Sequence, residues 1–278
     1  MTHPPSIASR VADRDVSLFD AIETELTLHD RRSMLAIQSI VANRRGSYRY
    51  LEIGSHKGGS IQPHLLDGRC EAIVSVDPRP LMQRDERGPR FAYPENSTAR
   101  MLEALAKLAP DQAGKIATFE TTAPDLVMRH DRPHLADLCL IDAEHTDRAA
   151  ALDFEAALEL VREDAVIVLH DAPIIYRAIG HMVEELQRNG RPYAAFPLLD
   201  SLFVIVLGRV GVLARPEYHA VADEVGLAYL TALRLNAGYR DFYQLFPFRI
   251  GRSILARLGF RACADRYQYG WAGWDKSA

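Results

Sequence analysis

Acid and imidazole follow an apolar run twice in this chain. Leu138-Cys139-Leu140-Ile141 leads into Asp142-Ala143-Glu144-His145, and Ala165-Val166-Ile167-Val168-Leu169 leads into His170-Asp171. Carboxylates and imidazoles grouped in this way can hold a divalent cation or take a proton from a hydroxyl near neutral pH. A third apolar run, Tyr50-Leu51-Glu52-Ile53, enters a turn of small residues that includes Gly54, Ser55, Gly58, Gly59 and Ser60. Without a Cβ, the glycines let main-chain N–H groups approach a bound molecule closely. A fourth run, Ala72-Ile73-Val74-Ser75-Val76, ends on Asp77. That acid lies about 25 residues past Glu52, where nucleoside-binding α/β folds place a carboxylate for ribose hydroxyls.

These groups converge only if their apolar runs are neighbouring strands. The periodicity predicts strands at 49–53, 72–76, 115–119, 135–141 and 165–169, with helices near 58–66, 97–109, 148–161 and 174–188 between them. Strict alternation of this kind implies βαβ units and a parallel sheet with helices on both faces. In such a sheet ligands bind outside the carboxyl ends of the strands, where the glycine turn, Asp77 and both acid–imidazole clusters would meet. Strand-end acids also serve as helix N-caps, the alternative reading of Asp142 and Asp171 taken singly.

Beyond the fifth strand the order changes. Asn189-Gly190 closes a helix, a run at 193–197 follows, and Leu199-Asp200-Ser201 leads directly into Leu202-Phe203-Val204-Ile205-Val206-Leu207. Two strands with no helix between them pair antiparallel. Leu18, Ile22, Leu26, Leu35, Ile37 and Ile40 repeat with helical period and predict a helical preface over about 16–44. Pro78 to Asn96 is rich in proline and charge and reads as a loop over the site. The chain therefore divides into a preface at 1–47, a core at 48–212 and a helical appendage at 213–278, the last rich in Tyr, Phe and Arg.

The 278 residues are 48% hydrophobic and 25% charged, which suits one large α/β domain with additions. A net charge of -4 gives no global attraction to nucleic acid. Cys70, Cys139 and Cys263 are scattered and form no C-x-x-C pair, so neither a disulfide framework nor a zinc site is expected. No signal peptide or membrane-length apolar run is present, and a cytoplasmic location is expected. In the tail, Ile250, Ile254 and Leu258 recur at helical spacing beside Arg249, Arg252, Arg257 and Arg261. This stripe is read as packing on the core or a second subunit, giving a homo-oligomer, in preference to peripheral contact with an anionic membrane.

The turn reads E-x-G-x-x-x-G-G rather than the dinucleotide G-x-G-x-x-G, and an ionised Glu52 would suit an ammonium better than a diphosphate. The pattern resembles the first motif of class I S-adenosylmethionine-dependent methyltransferases. Ile141-Asp142-Ala143-Glu144-His145-Thr146, Asp153-Phe154 and Val168-Leu169-His170-Asp171 are similar to the methyltransferase 24 family, related to metal-dependent O-methyltransferases; the resemblance covers about 48–208. It implies a Rossmann-like, seven-stranded, mostly parallel sheet ending in an antiparallel hairpin, and methyl transfer to a small-molecule or sugar hydroxyl. S-adenosylmethionine (SAM) would lie against Glu52, Gly54, Ser55, Gly58, Gly59 and Ser60, with Asp77 on the ribose and Glu120 and Thr121 on the adenine; Asp142 would border the donor. The resemblance places a metal on Asp142, His170 and Asp171. Metal-dependent relatives commonly carry a carboxylate at position 170, so His170 argues against Mg²⁺ and admits Mn²⁺, another transition metal or no metal. His145 is the first candidate base and His170 the second. Two other functions fit parts of the pattern: an NAD-dependent oxidoreductase, and a methyltransferase fold that has become an inactive interaction module.

Overall fold

The computed structural model describes residues 5–209, apart from 89, 95, 132, 199 and 200, together with 247, 250, 251 and 254. The appendage expected at 213–278, with the basic helical stripe expected in its tail, therefore lies almost wholly outside the described residues. Seven strands form the main sheet: β1 (Tyr48–Ile53), β2 (Cys70–Val76), β5 (Ile116–Phe119), β6 (Ala136–Ile141), β7 (Val161–Leu169), β8 (Tyr193–Pro197) and β9 (Phe203–Leu207). Their order is β5-β2-β1-β6-β7-β9-β8, parallel from β5 to β7, with β9 antiparallel to both β7 and β8. The Rossmann-like sheet with its terminal hairpin is thus as the sequence implies. No helix among the described residues is long and apolar enough to cross a membrane.

Alternation along the strands divides the core. Tyr48, Tyr50, Ile73, Leu138, Leu140, Val166 and Val168 pack on one face, with α2 (Leu28–Arg45) and α4 (Thr98–Leu108). Leu51, Ile53, Val74, Cys139, Ile141, Ile167 and Leu169 fill the other face, against α6 (Asp147–Leu160) and α7 (Tyr176–Arg188). Period-2 side chains with apolar residues on both faces require a sheet covered on both sides.

The preface is not one long helix. A 3₁₀ turn covers Val16–Phe19 and α2 starts at Leu28, so Ile22 and Leu26 sit in a strap between them. Two local preferences interrupt the helix. Thr27 and Asp30 form a reciprocal capping box that starts α2 afresh. Upstream, the Gln62 side chain takes the strap's backbone groups: its amide donates to the carbonyls of Phe19 (2.9 Å) and Ile22 (2.7 Å), and its oxygen accepts from Ile22 N–H (2.8 Å). The loop after Asp77 is also more ordered than its composition implies. It holds an antiparallel pair, β3 (Met82–Arg84) with β4 (Arg90–Ala92), and a buried Asp85–Arg87 ion pair.

Candidate active site

Main-chain hydrogen bonds carry the sheet one residue past each strand. Gly54 N–H donates to Val76 (2.8 Å), Asp77 to Phe119 (3.0 Å), Asp142 to Ile53 (2.8 Å) and His170 to Ile141 (3.0 Å). Gly54, Asp77, Asp142 and His170 thereby stand side by side along the mouth of the sheet. A pocket opens there, lined by Gly54, Ser55, Gly59, Ser60, Asp77, Asp142 and His145 from the sheet side. Glu23, Thr24 and Glu25 of the strap close one wall, and Gln83, Tyr93 and Asn96 of the β3–β4 segment close another.

The turn is shaped by close approach. Gly54 has φ +92°, and a Cβ there would lie 2.1 Å from the Asp142 carbonyl oxygen. A Cβ on Gly59 would meet the Glu23 carbonyl at 2.2 Å, so this glycine lets the strap cross the turn. Gly58 faces Met101 and Leu105 of α4 and does not line the pocket.

Asp77 is buried and organises its surroundings. Its carboxylate accepts from His56 N–H (2.9 Å) and Arg79 N–H (2.7 Å), and the Arg79 guanidinium lies 3.2 Å away. His56, Arg79 and Asp171 adopt left-handed backbone conformations, φ 44°, 56° and 50°. Such strain in non-glycine residues persists where the surroundings over-determine it, and all three lie at this site. Glu120 and Thr121 follow the edge strand β5 beyond Asp77 and are not among the pocket-lining residues.

Glu52 corrects an expectation. It shares a strand face with Tyr48 and Tyr50, is 1% exposed, and accepts hydrogen bonds from Tyr50 Oη (2.7 Å) and Ser60 Oγ (2.5 Å) without lining the pocket. Burial pushes its carboxyl up to about 8 despite those two bonds, so at neutral pH it is largely uncharged. An ionised carboxylate facing an ammonium is not what the fold provides. A raised acid pKa makes the unfolded state lose its proton first, near 4.5, so stability falls as pH rises from there to about 8. Glu52→Gln removes this dependence. Calorimetric melts should show a gain over the parent that grows from pH 5 to pH 8 and reaches a few kcal/mol.

The acid–imidazole clusters form one group. Asp142 Oδ1 lies 2.8 Å from His170 Nδ1 and 3.3 Å from His145 Nε2, while Asp171 Oδ2 lies 3.1 Å from His145 Nδ1. Burial alone would lower His145, but the carboxylates of Asp171 and Asp142 outweigh it and raise the imidazole to about 9. His170 is held well above its ordinary value by the same two carboxylates against the same burial. Asp142 is held below the usual carboxylate range: its burial is outweighed by the two imidazoles. The two carboxylates thus favour the protonated form of both histidines in the cation-free site, which weighs against either as a resting base there.

One carboxylate oxygen and two imidazole nitrogens, from Asp142, His145 and His170, all lie within 4.8 Å of one another, close enough to share one ion. This oxygen–nitrogen set fits a borderline transition ion such as Mn²⁺ better than Mg²⁺, which favours oxygen alone. The sequence singled out Asp142, His170 and Asp171 as ligands; the geometry adds His145 and sets Asp171 against it. Sequence reasoning missed Glu25 and Asp30. Glu25 borders the pocket, and its carboxyl is raised by burial and by Asp142 nearby. Asp30 was legible only as the acid of a T-x-x-D capping box.

Residues 51–172 match the model of a family described as Methyltransferase domain, methyltransferase 24. No curated protein matches the chain significantly. Among solved structures, the O-methyltransferase TomG of Streptomyces achromogenes, in complex with SAM, is 18% identical, with 74% of this chain and 92% of TomG covered and a TM-score of 0.46. A Bacillus cereus O-methyltransferase in complex with SAH is 13% identical over 75% of this chain and 93% of its own, with a TM-score of 0.46. Residues 51–172 therefore match a methyltransferase domain of the methyltransferase 24 kind, consistent with a class I methyltransferase.

Proposed function

We propose that the protein is a SAM-dependent O-methyltransferase acting on a small-molecule or sugar hydroxyl, assisted by a divalent transition ion. The observation that carries this reading is the row of strand ends that sets Gly54, Asp77, Asp142 and His145 along one pocket, with the buried His170 Nδ1 2.8 Å from Asp142. The donor's methionine part would lie against Gly54, Ser55 and Gly59, and its ribose against Asp77. The acceptor hydroxyl gives up its proton to water and its oxygen attacks the methyl carbon in line with the carbon–sulfur bond; that bond breaks and its electron pair stays on sulfur, leaving a methyl ether and a neutral thioether. Holding the two reactants in line supplies much of the acceleration. Asp142, His145 and His170 would hold the ion, whose contribution is to lower the acceptor hydroxyl's pKa and orient it. In this reading the histidines serve as ligands in place of bases. The strap and the β3–β4 segment wall the pocket from solvent, which strengthens electrostatic interactions inside it.

Isothermal titration of SAM and of NAD into the purified protein tests the reading directly. SAM binding without NAD binding is expected; binding of neither, with and without Mn²⁺, removes the enzyme. Asp77→Ala is a poor probe, because the carboxylate also holds the turn through His56 and Arg79. Asp77→Asn keeps the shape, and it should weaken SAM by roughly 10- to 100-fold, the worth of a charge-assisted bond to the ribose. Unchanged affinity would take Asp77 out of the site.

A further inference from the structure

His170 has a second ring nitrogen. Nε2 is buried and has no hydrogen-bond partner among the described residues, and it faces the carboxylate of Asp30, whose Oδ2 is 3.8 Å away. Asp30 is itself fully buried, in the first turn of α2. Its carboxylate is held from two sides. Oδ2 accepts from Thr27 Oγ1 (2.9 Å) and Ser201 Oγ (2.7 Å), and Oδ1 accepts from Ser201 N–H (3.2 Å). Thr27 belongs to the α2 cap and Ser201 to the β8–β9 turn, so one carboxylate joins the preface, the terminal hairpin and the strand end that carries His170. A helix cap alone would not need a buried, doubly anchored acid turned toward an imidazole 140 residues away.

We propose that Asp30 is a positioning residue for His170: it fixes the imidazole with Nε2–H toward Asp30 and the Nδ1 lone pair toward Asp142 and the cation. This inference rests on the reading of His170 as a cation ligand. Ligating histidines commonly give their other N–H to a carboxylate, which selects the tautomer and strengthens the ligand. Asp30 supplies such a group from outside the family-matched segment 51–172. An asparagine at position 30 keeps the shape but cannot accept on both oxygens. Whichever way the amide turns, its NH₂ opposes either Ser201 N–H or His170 Nε2–H.

Three full-length proteins test this: the parent, Asp30→Asn and Ser201→Ala. Ser201→Ala loses a hydrogen bond to the same carboxylate but leaves Asp30 facing His170, so it controls for stability alone. Mn²⁺ affinity, read calorimetrically on the metal-free proteins, should fall roughly 10- to 100-fold in Asp30→Asn and change little in Ser201→Ala. The ¹⁵N shift of His170 Nε2 in metal-free protein should move in the first variant and stay in the second. An unmoved shift in Asp30→Asn, or equal Mn²⁺ losses in both variants, overturns the positioning role. A parent that takes up no Mn²⁺ overturns the cation reading instead, and the nitrogen shift still decides whether Asp30 sets His170.

Discussion

Asp142→Asn is expected to cut methyl transfer by about 1000-fold, the ~4 kcal/mol scale of a bound ion's charge stabilisation, while SAM affinity changes little. The isosteric amide keeps the main-chain bond from Asp142 to Ile53 and the carbonyl against Gly54, so the donor side of the pocket is preserved. What is lost is the only carboxylate oxygen among the described residues that lies within 3.3 Å of both histidines. Single-turnover transfer measured beside SAM titration separates the two effects. Turnover that survives both this substitution and a chelator would end the ion-assisted reading. The substitution also has a signature in the cation-free protein. The raised His145 pKa contributes stability that is fully present below about 6.5 and is lost as pH rises through about 9. Asp142→Asn should flatten that alkaline decline, because one of the two carboxylates holding the proton is gone.

Gly54→Ala should have the largest effect on folding. The new Cβ would lie 2.1 Å from the Asp142 carbonyl oxygen and 2.7 Å from the Cα of Ala143. Both neighbours are backbone, so relief means pushing β1 and β6 apart at the mouth of the sheet, and φ +92° adds strain of its own. A loss of about 3 kcal/mol, or roughly 10 °C in Tm, is expected together with loss of SAM binding. Gly46 is the control: it has φ +77° with no described residue within 4 Å of its Cβ, so Gly46→Ala should cost only the conformational strain, about 1 kcal/mol. Equal losses at the two positions would show that contact between the strand ends contributes nothing.

The sequence by itself determined the parallel sheet with its antiparallel end and which strand ends share one edge. Apolar strand runs that alternate with helical ones imply a parallel sheet covered on both faces. Leu199-Asp200-Ser201 is too short for a crossover, so β8 and β9 had to be antiparallel. A parallel sheet also brings all its strand ends to one edge, and this made Gly54, Asp77, Asp142, His145, His170 and Asp171 legible as one site. Tertiary structure alone decided the charge states. Glu52 was read as an ionised wall of the donor pocket, but strand parity turns it inward, where burial keeps it largely neutral. His145 was read as a base, but Asp142 and Asp171 converge on its two nitrogens and hold it protonated to about 9. Glu25 and Asp30 stayed hidden because nothing local marks them. They reach the site only because Gln62 and the missing Cβ of Gly59 lay the strap across the turn, and because α2 packs its first turn against Ser201. Spacing along a chain reports which backbone groups can pair. Protonation and partnership depend on which side chains meet after distant segments have packed, and no local pattern encodes that.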